Sequence, residues 1–98
     1  MQSASNPRRH PDTAFRQVGD EGGLVVLPTR AEVKVVNHVG ATVFGLLDGE
    51  HSLEEITEAV VDEFEITRDE ARRDIEAFLR DLEAHGMLAT SESAGETR

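Results

Sequence analysis

The chain has 98 residues and no cysteine, and its 20 acidic against 10 basic side chains give a net charge of -10 at pH 7. This length predicts one small domain with little core to spare for an enclosed catalytic cavity. The composition excludes a disulfide framework and a thiolate zinc site, and the acidity disfavours nucleic acid as a partner. The sequence lacks both an apolar membrane span and a secretory signal, so we expect a cytoplasmic protein.

Three short runs with strand character open the chain. Residues 1–12 are polar and predict a disordered arm. Residues 15–18 alternate weakly between apolar and polar side chains. Residues 24–27 form an apolar run that ends at Pro28, and residues 32–36 form a run rich in β-branched side chains. Tight turns between the runs predict an antiparallel meander. A sheet this small has two edges that must be covered or used.

Three helical patterns follow the strands. Asn37 is placed to cap the first helix, which we expect to end at Asp48-Gly49. Residues 52–55 and 67–70 have the hydroxyl-to-carboxylate spacing of a capping box, so they open the second and third helices. On the third helix we expect the following residues to face the core: Ala71, Ile75, Phe78, Leu79 and Leu82. Gly86 is placed to close that helix in a left-handed conformation.

The charges on the last two helices allow two interpretations each. From Asp48 to Glu65 there are eight acids and no Lys or Arg, which indicates either a solvated face or a docking surface for a basic partner. On the third helix Arg72, Glu76 and Arg80 lie four residues apart on one stripe. That stripe indicates either ordinary intrahelical ion pairs or a cationic wall for an acidic peptide.

No motif of the chain indicates catalysis. The four histidines, at positions 10, 38, 51 and 85, lack the spacing of metal ligands. The chain also lacks a glycine-rich phosphate loop and a nucleophile elbow. We therefore predict a binding module with no catalytic residue, no metal and no cofactor.

Several short motifs occur together in an order and spacing that resemble one family. They are Val36-Asn37, Gly40-Ala41, Val43-Phe44, Leu46-Leu47-Asp48-Gly49, Leu53-Glu54-Glu55-Ile56, Phe78-Leu79, Leu82 and Gly86-Met87-Leu88. The sequence resembles the PqqD family, also called the RiPP recognition element, over roughly residues 14–89. Val36 stands where leucine is usual and Phe44 where tryptophan is usual, and both keep the apolar character.

The resemblance implies an α+β, winged-helix-like fold, in which a three-stranded antiparallel sheet is followed by three helices. We expect this domain over residues 13–89, between the disordered arm at 1–12 and a disordered tail at 90–98. The resemblance further implies that the domain binds the leader segment of a ribosomally made precursor peptide. Such a domain presents the peptide to a modifying enzyme, which could be a radical SAM enzyme, a cyclase or a protease.

In that family the leader adds as a strand beside the third strand and lies against the third helix. On this mapping the third strand is the pairing strand, and the exposed or marginal positions of the third helix are candidates for the opposite wall. The peptide-binding residues so predicted are Glu32, Val33, Lys34, Val35, Val36, Arg72, Arg73, Glu76, Leu79 and Arg80.

Two other functions are compatible with this architecture. The first is a winged-helix DNA-binding regulator. It is disfavoured because the third helix, from Arg68 to His85, has six acidic residues and only four arginines, whereas a recognition helix should be net positive. The second is a structural subunit of a modifying-enzyme complex, docked through the acidic second helix. We expect a monomer or a weak homodimer, because Glu32 and Lys34 on the open edge resist self-pairing.

Overall fold

The computed structural model describes residues 6–89, and it has the predicted α+β order of elements. The elements are β1 (Ala14–Gln17), β2 (Gly22–Leu27), a 3-10 turn (Pro28–Arg30), β3 (Glu32–Asn37), α1 (His38–Gly45), α2 (Leu53–Phe64) and α3 (Arg68–Ala84). The predicted tail at 90–98 and the first five residues of the predicted arm lie outside the described residues. No helix among residues 6–89 is long and apolar enough to cross a membrane.

The sheet is a meander with β2 in the centre and both neighbours antiparallel to it. In the register, Val25 pairs with Phe15 on one side and with Lys34 on the other. Because side chains alternate between the faces of a strand, Val25, Leu27 and Val36 point towards the helices and are buried. The predicted three-stranded antiparallel meander is therefore confirmed.

The core lies between this face of the sheet and the three helices. The helices contribute the buried residues Val43, Phe44, Ile56, Val60, Ala71, Ile75 and Leu82, and buried Leu47 and Met87 follow α1 and α3. Within α2 and within α3 the buried apolar residues are four or seven positions apart, which places them on one stripe of the helix. Phe78 and Leu79, which the sequence predicts to face inward, are only half-buried at the margin of the core.

The predicted caps are present at the start of each helix. The Asn37 side chain accepts from the Gly40 amide at 2.8 Å. Ser52 and Glu55 form both bonds of a capping box, at 3.0 and 2.9 Å. Thr67 accepts from the amide of Glu70, but within the described chain the reciprocal bond from that carboxylate is not made.

The end of α1 differs from the prediction. The helix stops at Gly45, before Asp48-Gly49. The amides of Leu46 and Leu47 donate to Val43 and Phe44, three residues back, at 2.9 and 3.1 Å. This tight final turn replaces the last α-helical turn, and glycine favours such an ending because it weakens a helix interior.

The predicted disordered arm is instead hydrogen-bonded to the domain over residues 6–10. This segment lies between residues 47–49 and residues 87–89, and it bridges to both in antiparallel fashion. Four backbone hydrogen bonds hold it: Arg9 to Leu47 (2.8 Å), Gly49 to Pro7 (3.2 Å), His10 to Met87 (2.9 Å) and Ala89 to Arg8 (2.8 Å). The segment thus ties the end of α1 to the chain that follows α3.

The side chain of Arg9 completes this attachment. Its Nη1 donates to the carbonyls of Phe44 and Leu47 at 3.3 and 3.1 Å. Its guanidinium also lies over the Phe44 ring, 5.6 Å from the centroid. The last carbonyls of a helix lack intrahelical partners, and a cation placed there stabilises them. Arg9 is therefore a cap for α1 supplied from a distant part of the sequence.

The glycine that closes α3 should be sensitive to substitution. Gly86 has φ of +72°, and a Cβ there would collide with the Arg30 guanidinium. We expect Gly86→Ala to lower the free energy of unfolding by about 1–2 kcal/mol, as measured by urea denaturation. Gly45→Ala is the matched control, because a Cβ there meets no atom within 4 Å. It should instead stabilise by about 0.5–1 kcal/mol, and equal effects of the two changes would refute this reading.

Candidate binding groove

β3 has one edge that no other strand pairs with in the part of the chain that the structure describes. Two of its side chains, Val33 and Val35, are 58% and 76% exposed on the sheet face that points away from the helices. An edge of this kind presents a row of unpaired N–H and C=O groups, which can pair with another extended chain. β3 is thus able to accept a further strand.

Four residues of α3 line a pocket beside β3 or bond to it: Asp74, Ala77, Phe78 and Asp81. Their spacing of three, four and seven residues places them on one helix face. Asp81 reaches β3 directly, because its Oδ2 lies 2.7 Å from the Nζ of Lys34. We call the space between the β3 edge and these four residues the β3–α3 groove.

The groove contains a partly open pocket of about 260 Å³. Its lining comes from the end of β3, the start of α1 and the middle of α3: Asn37, Val39, Gly40, Val43, Asp74, Ala77 and Phe78. A Cβ on Gly40 would lie 3.2 Å from both the Phe78 ring and the Val36 side chain. Glycine therefore permits the close packing of α1, β3 and α3 that shapes the pocket floor. Five of the seven lining residues are apolar or glycine, and Asp74 contributes a carboxylate.

The Lys34–Asp81 pair is well placed to be stable at neutral pH. The Lys34 side chain is only 15% exposed, whereas that of Asp81 is 59% exposed. The hydrogen bond from the Lys34 ammonium lowers the pKa of Asp81 below its ordinary value of 3.8. A lowered folded-state pKa means that the pair stabilises the fold above the unfolded pKa and loses this effect as pH falls through the folded pKa.

Melting temperatures measured across a pH series should therefore distinguish the charge of Asp81 from the charges of other carboxylates on α3. We expect Asp81→Asn to melt below the native protein at pH 7, and the difference to disappear as pH falls through the lowered pKa of Asp81, because the native carboxyl is then neutral as well. Glu83→Gln is the control, since Glu83 is exposed and has no ion-pair partner within residues 6–89. A difference for Asp81→Asn that persists at low pH would contradict the assigned role of the charge.

The predicted wall residues of α3 lie elsewhere on the helix. Arg72 contacts Glu76 at 3.2 Å and Glu54 of α2 at 3.7 Å, so both Arg72 and Glu76 lie on the side of α3 towards α2. Leu79 packs at the margin of the core. Arg73 and Arg80 are exposed, and at 100° per residue they lie opposite the buried stripe of α3. The structure thus brings Glu32–Val36 together with a different set of α3 residues.

Sequence reasoning missed three residues of the groove and assigned a fourth to the core. It counted Asp74 and Asp81 only as negative charges, and it gave Ala77 no role. It placed Phe78 in the core, where the ring is in fact half-buried and also lines the pocket. The signal for this face was the spacing 74, 77, 78 and 81 beside the buried stripe. Which side of that stripe meets β3 depends on how α3 packs, which the spacing alone does not determine.

The histidines of α1, of the loop before α2 and of the end of α3 each contact a single polar partner. His51 Nδ1 lies 2.9 Å from the Asp48 carboxylate, and His85 Nδ1 lies 2.9 Å from the Asp81 carbonyl. His38 lies 3.7 Å from Glu63. Within residues 6–89, no three His, Cys, Asp or Glu side chains are grouped so that they could hold a metal ion.

A family comparison agrees with the architecture. The family model described as Coenzyme PQQ synthesis protein D (PqqD) matches residues 23–88. The chain belongs to the PqqD family. The match in this PqqD-family protein begins within β2 and ends just after α3, so it spans the groove and leaves out β1 and the arm. Among curated proteins none matches the chain.

Two solved structures are similar to this PqqD-family protein. One is described as TbiB1 in complex with the TbiA(beta) leader peptide, with 22% identity, a TM-score of 0.72, and coverage of 83% of this chain and 93% of that one. The other is described as lasso peptide synthetase B1 complexed with the leader peptide, with 26% identity, a TM-score of 0.73, and coverage of 87% and 99%. These likenesses confirm the fold over nearly the whole length of both neighbours.

Proposed function

We propose that this PqqD-family protein is a leader-peptide-binding adaptor in the biosynthesis of a ribosomally synthesised and post-translationally modified peptide. The observation that carries the proposal is the open edge of β3 facing a pocketed side of α3. Both similar solved proteins are described as complexes with leader peptides. The fold shared with these two proteins supports leader-peptide binding by this chain as well.

The geometry supports binding by strand addition. An extended peptide beside β3 would satisfy the unpaired backbone groups of the edge, and these bonds place little demand on peptide sequence. Alternate peptide side chains would point towards the helices, and one of them can enter the pocket against Val39 and Phe78. Burial of a large apolar side chain there contributes about 1.5–3 kcal/mol. Backbone pairing thus supplies general affinity, and the pocket supplies selectivity.

We further infer that the protein is not itself an enzyme and that it presents the bound peptide to one in the cytoplasm. The partner enzyme is of the radical SAM, cyclase or protease class, and the protein acts as a monomer or weak homodimer. The groove supports a role in binding, because it offers backbone groups for pairing and a pocket for a peptide side chain. The DNA-binding alternative gains no support, because Arg68 and Arg72 bond to glutamates and the groove side of α3 carries two aspartates.

A titration followed by amide chemical shifts tests the proposal. The 15N-labelled protein is titrated with the leader peptide of a precursor encoded near its gene. We expect the largest shifts at Val33–Val36 and at Ala77 and Phe78, with saturation at one peptide per protein. Shifts confined to α2, or no binding at all, would refute the assignment of the groove.

A further inference from the structure

The side of α3 that faces β3 is acidic. Asp74 and Asp81 lie two turns apart on it, roughly 10 Å along the helix axis. Asp81 is bonded to Lys34. Asp74 has no ion-pair partner within residues 6–89, and it lines the apolar pocket beside Ala77 and Phe78. A carboxylate with no cation beside it therefore lies where a bound peptide would place a side chain.

The arginines of α3 do not neutralise this surface. Two of them bond to glutamates on the α2 side, and the other two lie opposite the buried stripe. The charged residues of β3 and of the facing side of α3 are Glu32, Lys34, Asp74 and Asp81. Three carboxylates against one ammonium group give the groove a net charge of -2. The interpretation of α3 as a cationic wall for an acidic peptide therefore does not describe this groove.

We propose that the β3–α3 groove selects peptides that place a Lys or Arg side chain on Asp74 and rejects those that place Asp or Glu there. This inference rests on the proposed function. The aliphatic stem of a Lys or Arg can pack on the apolar lining, including Val39 and Phe78, while its charged end reaches the carboxylate. A hydrogen bond to a charged group is stronger than one between neutral groups. An acidic side chain at the same place would meet a like charge.

A positional scan of a synthetic peptide tests this selection without presupposing its register. The probe is a fluorescein-labelled twelve-residue peptide of Thr and Val, in which each position in turn is Lys, Gln or Glu. Binding is measured by fluorescence anisotropy at low salt, and amide shifts at Val33–Val36 verify the site. We expect one position at which Lys binds about five- to tenfold more tightly than Gln, and Glu more weakly than Gln.

Three variants locate the charge that is responsible. Asp74→Asn should abolish the preference for Lys at that position, and Glu83→Gln, an exposed acid of α3 outside the groove, should leave it intact. If the peptide with Glu binds more tightly than that with Gln, and Arg73→Gln removes this preference, the inference is overturned and α3 acts as a cationic wall. If the peptides shift the amide signals of Val33–Val36 but bind equally well with Lys, Gln or Glu at every position, the inference is overturned and the proposed function is not. If no peptide shifts β3, the proposed function is overturned as well.

Discussion

Removal of residues 1–12 is expected to lower the free energy of unfolding by about 2–4 kcal/mol. The deletion removes four backbone hydrogen bonds, each with a net contribution of about 1 kcal/mol, and the cationic cap on α1. Freedom regained by the arm offsets part of this loss. For a domain whose total stability is about 5–15 kcal/mol, the change is large. Urea denaturation of the full-length and truncated chains measures it.

Two arginine substitutions distinguish the contribution of the Arg9 cap to stability from that of the rest of the arm. Arg9→Ala should destabilise by about 1–2 kcal/mol, because it leaves the Phe44 and Leu47 carbonyls without that donor. Arg16→Ala, on exposed β1, should change stability by less than about 0.5 kcal/mol. If the truncated chain is as stable as the full-length one, residues 6–12 do not hold the domain together.

Ala77→Trp is expected to weaken leader-peptide binding about 10- to 100-fold while the fold remains stable. Ala77 is exposed on the groove side of α3 and lines the pocket, so an indole there occupies the space that a peptide side chain would enter. The expected loss corresponds to the burial of one large apolar side chain, about 1.5–3 kcal/mol. Isothermal titration with the leader peptide of a neighbouring precursor measures the affinity, and thermal melting monitors the fold.

The control for this change is Glu83→Trp, which adds the same side chain to an exposed position of α3 outside the groove. It should leave the affinity within about twofold of the native value. Equal losses for the two variants would indicate a general effect of the indole on α3. Unchanged affinity in Ala77→Trp would show that the peptide does not use this pocket.

Local sequence signals were sufficient for most of the fold. Residues 52–55 have the hydroxyl and the carboxylate that a capping box requires, and both bonds are formed. Gly86 has the positive φ that its position after α3 predicts. The apolar stripes of the helices predict most of the helical side chains that are buried. These features depend on residues close in sequence, so a single sequence carries them.

Features that depend on long-range geometry were not predictable in the same way. The arm is held mainly by backbone hydrogen bonds, which do not depend on particular side chains. Its polar composition therefore gave no sign of the attachment and indicated disorder. Arg72 was assigned to the groove because it is exposed, but Glu54 lies close enough to draw it towards α2. The acidic groove side of α3 follows from the rotation of that helix against β3. Sequence spacing defines the faces of α3 but not which face meets β3.

The central claim is that an extended peptide pairs with the open edge of β3, and disulfide trapping tests it most directly. The chain has no cysteine, so Val35→Cys introduces a single thiol on β3, and Val18→Cys provides a control on an exposed residue outside the groove. Directly opposed residues of paired strands are close enough for a disulfide. Leader peptides with one cysteine at successive positions should cross-link to the Val35→Cys variant at one peptide position and not at its neighbours. Uniform cross-linking along the peptide, or trapping by the Val18→Cys variant alone, would contradict strand addition at β3.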